Sequence, residues 1–193
     1  MLRAEDAWVK ITGAVVPTEY RRVSGSKFRQ YRFRTELPRE VNGVEVTAEQ
    51  WFEKAVESVG TAESFLFGDR AILDSQVLGW LDESHLVGWQ AVSMPRGVSD
   101  RDFLTLARID HENLTFAHKS LEGDAAIFLS EKAGKSGLVR GRVRMYGFRI
   151  ERPSDPQKGC CQLDWFEHFE PLGGIPSGLV NRDLVGRTRA KGA

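Results

Sequence analysis

Residues 137–150 read GLVRGRVRMYGFRI, and residues 160–170 read CCQLDWFEHFE. Strands are expected at 138–150 and 160–169, the second acidic and aromatic around Trp165, while the first places alternate residues on opposite faces. In the first run Arg140, Arg142 and Arg144 share one face, and Val139, Val143 and Met145 share the other. Strict alternation carries the arginine face on through Tyr146, Phe148 and Ile150. A face that changes from arginine to aromatic can be the solvated side of a sheet, or it can line a pocket with one polar end. A buried arginine there needs an acid or an anionic ligand group to offset its desolvation. The stretch around Pro153, Ser154, Asp155 and Pro156 has the composition of a turn between the two strands.

Working upstream, strands are expected at 72–79, 85–92, 103–110 and 114–120. Turn chemistry separates them at 82–84, 95–97 and 111–113. Many strands at short spacing, with few helices between, predict one large antiparallel sheet. Such a sheet twists, and it can curl one face around something.

The N-terminal part predicts strands at 8–16, ending at Pro17, and at 28–37, joined by a turn at 24–26. In the second of these Tyr31, Phe33, Thr35 and Leu37 fall on one face. Asn42 and Gly43 mark a further turn. Thr47 followed by Gln50 has the capping-box spacing that opens a helix. Trp51, Phe52, Ala55, Val56 and Val59 then recur at helical spacing, and Gly60 is placed to stop it. Residues 61–71 are expected to connect this helix to the sheet. After Gly173 and Gly174, a closing helix is expected from Pro176, with Ile175, Leu179, Val180, Leu184 and Val185 on its apolar face. Gly178 and Gly186 each weaken it by up to roughly 1 kcal/mol relative to alanine. The expected class is α+β, a curved antiparallel sheet gripping a helix, in a single domain over residues 1–193.

Bulk composition narrows the function. Lysine plus arginine and aspartate plus glutamate are equal at 27 each, and a net charge of zero argues against a mainly electrostatic partner such as nucleic acid. No run approaches the ~20 apolar residues of a membrane span, and the N-terminus lacks an apolar signal core. The two cysteines, Cys160 and Cys161, are adjacent, which makes neither a disulfide framework nor a Cys-x-x-Cys metal site. They fit two reduced thiols on opposite faces of a strand, and so a reducing, cytoplasmic compartment.

Motifs of catalysis are weak. His85, His111, His118 and His168 form no His-Glu-x-x-His pair. His168 and Glu170 share a strand face, but no third ligand is visible, so no metal is expected. Residues 134–136, Gly-Lys-Ser, end like a phosphate loop, but position 129 is Leu where that loop needs glycine. There is no Gly-x-Ser-x-Gly elbow. The charged run Ser99, Asp100, Arg101, Asp102 reads best as a turn, with Arg101 paired to a neighbouring acid. Five tryptophans and eleven phenylalanines suit either aromatic core packing or the wall of a cavity.

Taken in order, several segments resemble the START family, the steroidogenic-acute-regulatory-protein-related lipid transfer domains. These are the helix with Trp51 and Phe52, the Ser99–Phe103 segment, the Gly137-Leu-Val-Arg140 strand start, and the 174–181 segment Gly-Ile-Pro-Ser-Gly-Leu-Val-Asn. Asp100 stands where the family's Pro-Arg-Asp-Phe-type segment has proline, and Gly174 stands where its Gly-Trp has tryptophan. The resemblance implies a helix-grip fold, with nine antiparallel strands around a long C-terminal helix and an apolar tunnel for one lipid or sterol between them. It implies a gate made by that helix and a loop at about 121–137, with Phe128 and Leu129 in the loop and Ile175 and Val180 at the helix. Arg140 matches a position where some members place a charge inside the tunnel.

The expected function is therefore non-catalytic binding of a single lipid or sterol, for transfer or sensing, with transient membrane contact by a monomer and no cofactor. The expected cavity residues are Arg140, Trp89, Phe103, Tyr146, Phe148, Trp165 and Leu179. Replacing Arg140 with leucine is expected to change head-group preference more than stability. Two alternatives remain: a helix-grip enzyme of cyclase or hydroxylase type, drawing an acid–base pair from His118, His168 or Asp164, and an interaction module whose pocket is filled by its own aromatics.

Overall fold

The structure is a computed structural model, and it describes residues 7–12, 14, 16–57, 72–94, 97–123, 138–155 and 160–179. In chain order the elements are β1 (Val9–Lys10), β2 (Thr18–Arg22), β3 (Arg29–Leu37), β4 (Glu40–Val41), β5 (Val44–Glu45), α1 (Ala48–Glu57), β6 (Ile72–Trp80), β7 (His85–Val92), β8 (Arg101–Asp110), β9 (Thr115–Ser120), β10 (Val139–Arg140), β11 (Arg142–Glu151) and β12 (Cys161–Glu170). Ten of the strands form one sheet, in the order β1-β2-β3-β12-β11-β9-β8-β7-β6, with β10 paired to β8 beside that path. Every pairing along the path is antiparallel, and β10 runs parallel to β8. The small β4–β5 hairpin stands apart, turning through Asn42 and Gly43, both at positive φ.

The expected strand at 8–16 is displaced. Only Val9–Lys10 is extended there, and the pairing partner of β3 is Thr18–Arg22, beyond Pro17. Proline fits the head of a strand because the ladder does not need its missing N–H there. The expected strand at 138–150 is divided at Gly141, and the last strand runs Cys161–Glu170.

The helix α1 opens with the expected reciprocal cap. Gln50 N donates to Thr47 Oγ1 (3.2 Å), and Thr47 N donates to Gln50 Oε1 (2.9 Å). Its buried face is Ala48, Phe52 and Ala55. The expected helix end at Val59 and Gly60, and the connection at 61–71, lie outside the described residues.

Residues that pair across strands point to the same side of a sheet, so the register sorts the sheet into two faces. On the face that carries α1, one row runs Phe33, Trp165, Phe148, Phe116 and Ile109 across five strands. Phe52 lies 5.8 Å from the Phe148 ring and closes this row. With Leu37, Leu114, Ile150, Cys161 and Leu163 it forms the main core. Burying a side chain such as Phe52 stabilises the fold by roughly 1.5–3 kcal/mol. The opposite face carries a smaller core of Val87, Trp89, Ala91 and Leu104, packed with Leu78, Leu106, Leu121 and Leu138.

Candidate functional site

The next row on the α1 face runs Tyr31, Glu167, Tyr146, His118, Ala107 and Leu86. Beyond it come Phe169 beside Val143, and Ser120, Thr105, Gly88 and Val77 in register. Phe103 and Gln90 follow. In contrast to the row under α1, these rows are only partly sealed: Tyr31, Leu86, Ala107, Val143, Thr105 and Phe103 are buried, but Tyr146, His118, Glu167, Phe169, Ser120, Gly88 and Gln90 are half-buried. The open region is aromatic. Tyr146 meets Trp165 edge-on at 5.0 Å and Phe169 at 5.4 Å, and Phe169 meets Phe103 at 5.5 Å. Gly88 and Ala107 present no bulk in the middle of this wall.

Its polar groups are few. His118 Nδ1 is 3.2 Å from Thr105 Oγ1, while His118 Nε2 is buried without a hydrogen-bond partner among the described residues. Tyr146 lies edge-on to the imidazole at 4.5 Å. Burial pushes the His118 imidazole down to about 3, so it is neutral at physiological pH. Trp165 Nε1 donates to Glu167 Oε1 (3.2 Å). Tyr31 is pushed up to about 12, chiefly by its burial.

Of the expected cavity residues, Phe103, Tyr146, Phe148 and Trp165 come together on this face. Phe148 and Trp165 lie in the closed row under α1, and Phe103 is buried, so Tyr146 alone of the four is half-open. Arg140 and Trp89 lie on the opposite face. Arg140 Nε and Nη2 donate to Asp102 Oδ1 (3.0 Å) and Oδ2 (2.7 Å), and Trp89 Nε1 donates to the same Oδ2 (3.0 Å). Asp102 alternates with Phe103 along β8, so this cluster stands behind the wall rather than on it. Leu179 is exposed and Ile175 half-buried at the start of the closing segment, where residues 177–179 are helical. The expected gate residues Phe128, Leu129 and Val180 lie outside the described residues.

Strict alternation through 140–150 fails at a bulge. Val143 pairs with Phe169, but Met145 pairs with His168, so β11 advances two residues while β12 advances one. The extra residue reverses the sides. Tyr146, Phe148 and Ile150 face α1, whereas Arg142 and Arg144 face away and pair with Glu170 (3.7 and 3.1 Å). Burial pushes the Glu170 carboxyl up, but Ser26 and Arg144 outweigh it and hold it below the usual carboxylate range.

Arg101 also departs from expectation. It is buried, and its Nε donates to the carbonyl of Pro171 (2.6 Å), with further bonds to the Ser99 and Leu172 carbonyls rather than to an acid. This fastens the turn at 171–174, where Leu172, Gly173 and Gly174 have positive φ, to the end of β8. The three acid–base candidates do not converge. Asp164 and His168 alternate with Trp165 and so face away from His118. Asp164 is held by Arg34 (2.6 and 2.8 Å) and Arg149 (3.3 Å), and His168 Nε2 lies 3.1 Å from Ser26 Oγ. Sequence reading overlooked Thr105, Glu167 and Phe169 as wall residues, although each follows from alternation once the register is known.

A large, almost wholly antiparallel sheet of this order with few helices is the sheet of the helix-grip class; the expected closing helix beyond residue 179 lies outside the described residues. The START domain family matches residues 69–193, so the chain belongs to that family. Among solved structures it is similar to human StAR-related lipid transfer protein 5 (16% identity, TM-score 0.69, covering 98% of this chain and 83% of that chain). It is also similar to human STARD10 (15% identity, TM-score 0.63, 95% and 72%). A third is the STAR-related lipid transfer protein of Xanthomonas axonopodis (19% identity, TM-score 0.63, 95% and 93%). At these identities the likeness establishes the fold. No curated protein matches the chain in sequence.

Proposed function

We propose that the protein is a non-catalytic carrier that takes up a single lipid or sterol against the half-open wall around Tyr146 and Phe169, which the buried rings of Phe103 and Trp165 back. Membership in the START family supports lipid binding. The observation that carries the reading is the contrast along one face: the row beneath α1 is sealed, whereas beyond it Tyr146 and Phe169 stay half-buried beside Val77, Gly88, His118, Ser120 and Gln90, over the buried Phe103, Ala107 and Leu86. Aromatic surface left partly open on a folded chain is what an apolar ligand covers. At ~25 cal/mol per Å², burying several hundred Å² of ligand is worth on the order of 10 kcal/mol before ordering costs, so no bond chemistry is needed to hold it. The separation of Asp164 and His168 from His118 favours a carrier over an acid–base enzyme.

Function in lipid transfer or sensing, as a cytoplasmic monomer in transient contact with membranes, follows from this reading. Ile175 and Leu179 are the described part of its gate. The test is native mass spectrometry of the purified protein with lipid extraction, before and after exposure to mixed liposomes. A defined bound lipid at one per chain is expected, and failure to take up any lipid would sink the proposal.

A further inference from the structure

We propose that His118, oriented by Thr105, is the residue that reads the polar end of the ligand, and that it selects an uncharged, hydroxyl-bearing amphiphile over a charged one. The inference rests on the carrier reading above and adds the chemical class of the ligand. Three features of the structure carry it. His118 stands in the middle of the open wall, in the row between Tyr146 and Ala107. Its Nδ1 is engaged by Thr105 Oγ1, which fixes the ring, while Nε2 is buried and has no partner among the described residues. Buried ring nitrogens are nearly always hydrogen-bonded, so an orphaned one on a ligand-facing wall marks a place for a ligand's polar group.

The chemistry of that group follows from what surrounds it. A neutral imidazole offers one N–H and one lone pair, and Thr105 takes one of them. Thr105 Oγ1 directs its own proton at the Gly88 carbonyl (3.5 Å), so it accepts from His118 Nδ1–H and leaves Nε2 a lone pair, which a hydroxyl donor answers and an ether does not. The rings next to it are Tyr146 (4.5 Å) and Phe116 (5.5 Å), which provide no counter-charge for an ionic head group. The described charged side chains of the same face are unsuited to an anion beside His118. Glu167 is itself acidic and lies beyond Tyr146 in the row, Arg29 and Arg22 lie on β3 and β2, farther still along the sheet, with Arg29 over the Tyr20 ring (4.0 Å), and Arg101 is spent on the carbonyls of Pro171 and Leu172. A charged head group placed at Nε2 would lose water and gain no ion pair.

The experiment is uptake by the full chain from phosphatidylcholine vesicles doped with radiolabelled cholesterol or with its 3-O-methyl ether, which keeps the ring system but cannot donate a hydrogen bond. Wild-type protein is expected to favour the alcohol by about tenfold, the scale of one well-placed hydrogen bond. His118→Phe is expected to bring that ratio to about one, and Thr105→Val to lower it by about threefold. His118→Gln keeps a neutral donor and acceptor and is expected to retain the preference, so it carries the comparison with Thr105→Val if the phenylalanine variant does not fold by near-UV circular dichroism. Equal uptake of alcohol and ether by wild-type protein, or preferential uptake of phosphatidylcholine itself, overturns the inference and leaves the carrier reading standing. An unchanged ratio in folded His118→Phe overturns it too. Uptake of no lipid at all overturns both.

Discussion

Arg140 and Asp102 form a two-pronged ion pair across the parallel β10–β8 contact, on the side of the sheet opposite Phe103, with bonds of 3.0 and 2.7 Å. Trp89 gives the same carboxylate a third hydrogen bond at 3.0 Å. The pair joins the segment that leaves the 121–138 region to the strand that carries Phe103. It therefore positions the wall from behind. Arg140 is thus the partner of an internal acid rather than a group left over for a ligand.

The consequence is that Arg140→Leu acts on stability. The carboxylate of Asp102 has a side chain only 8% exposed, whereas that of Arg140 is 37% exposed, so removing the arginine strands the more deeply buried partner. A loss of about 2–3 kcal/mol is expected, at or below the lower edge of the cost of breaking a buried pair because water reaches one member. Urea unfolding of Arg140→Leu and of Arg140→Leu combined with Asp102→Leu checks this. The double variant should recover part of the loss, and a single variant as stable as wild type would exclude the pair as a stabilising element.

Two glycines on β11's side of the site differ in what they forbid. A Cβ on Gly147 would lie 2.2 Å from the Phe116 carbonyl oxygen and 2.8 Å from the Ala117 Cα, both backbone atoms of β9. Gly147→Ala must push β9 and β11 apart, and a cost of about 3 kcal/mol is expected. A Cβ on Gly141 would lie 2.4 Å from the Phe103 ring, which can turn. Gly141→Ala should cost about 1 kcal/mol but should shift Phe103 against Phe169, visible as altered near-UV circular dichroism. Equal melting temperatures for the two variants would contradict this ordering.

The sheet, α1 and its cap were legible because they rest on local patterns: Thr47 with Gln50, period-two alternation from Tyr31 to Leu37, and turn residues at 82–84 and 111–113. Three features were not. β2 is Thr-Glu-Tyr-Arg-Arg, polar enough to hide its alternation, and it is specified by pairing with β3 rather than by its own composition. The bulge between Val143 and Met145 leaves no compositional mark, yet it decides which side Tyr146 faces. Asp102 as the partner of Arg140, and Thr105 as the partner of His118, depend on register between strands far apart in sequence. Phe103 and Tyr146 could be named as candidates from the sequence, but neither Phe169 beside them nor the position of Arg140 and Trp89 behind them could be read without the register.

The closed end of the sheet depends on α1. Phe52 is fully buried and packs on both Phe148 (5.8 Å) and His111 (5.6 Å, edge-on). Phe52→Ala should cost about 3–5 kcal/mol as a core cavity, and Thr47→Ala about 1 kcal/mol through the lost cap. Thermal unfolding of the two variants should preserve that order. A Phe52→Ala protein no less stable than Thr47→Ala would mean that α1 does not seal the row beneath it.

Acid should weaken the fold partly through His118. Its folded value of about 3 lies below the ordinary 6.5, because burial disfavours the charged ring. Between those two values the unfolded chain binds a proton there and the folded chain does not. His118 therefore imposes no penalty above pH ~6.5, and stability falls as pH drops from there toward 3, by at most ~1.4 kcal/mol per pH unit. Asp164, Glu170 and His168 have folded values shifted down as well, and each also loses stability in acid. The His118 share is isolated by comparison with His118→Gln, which cannot titrate. Denaturant unfolding from pH 7.5 to pH 4 should show a steeper decline for wild type than for His118→Gln, with the two curves parallel above pH ~6.5. Parallel curves over the whole range would mean that the imidazole is solvated, and with it the orphaned Nε2 would lose its claim on a ligand.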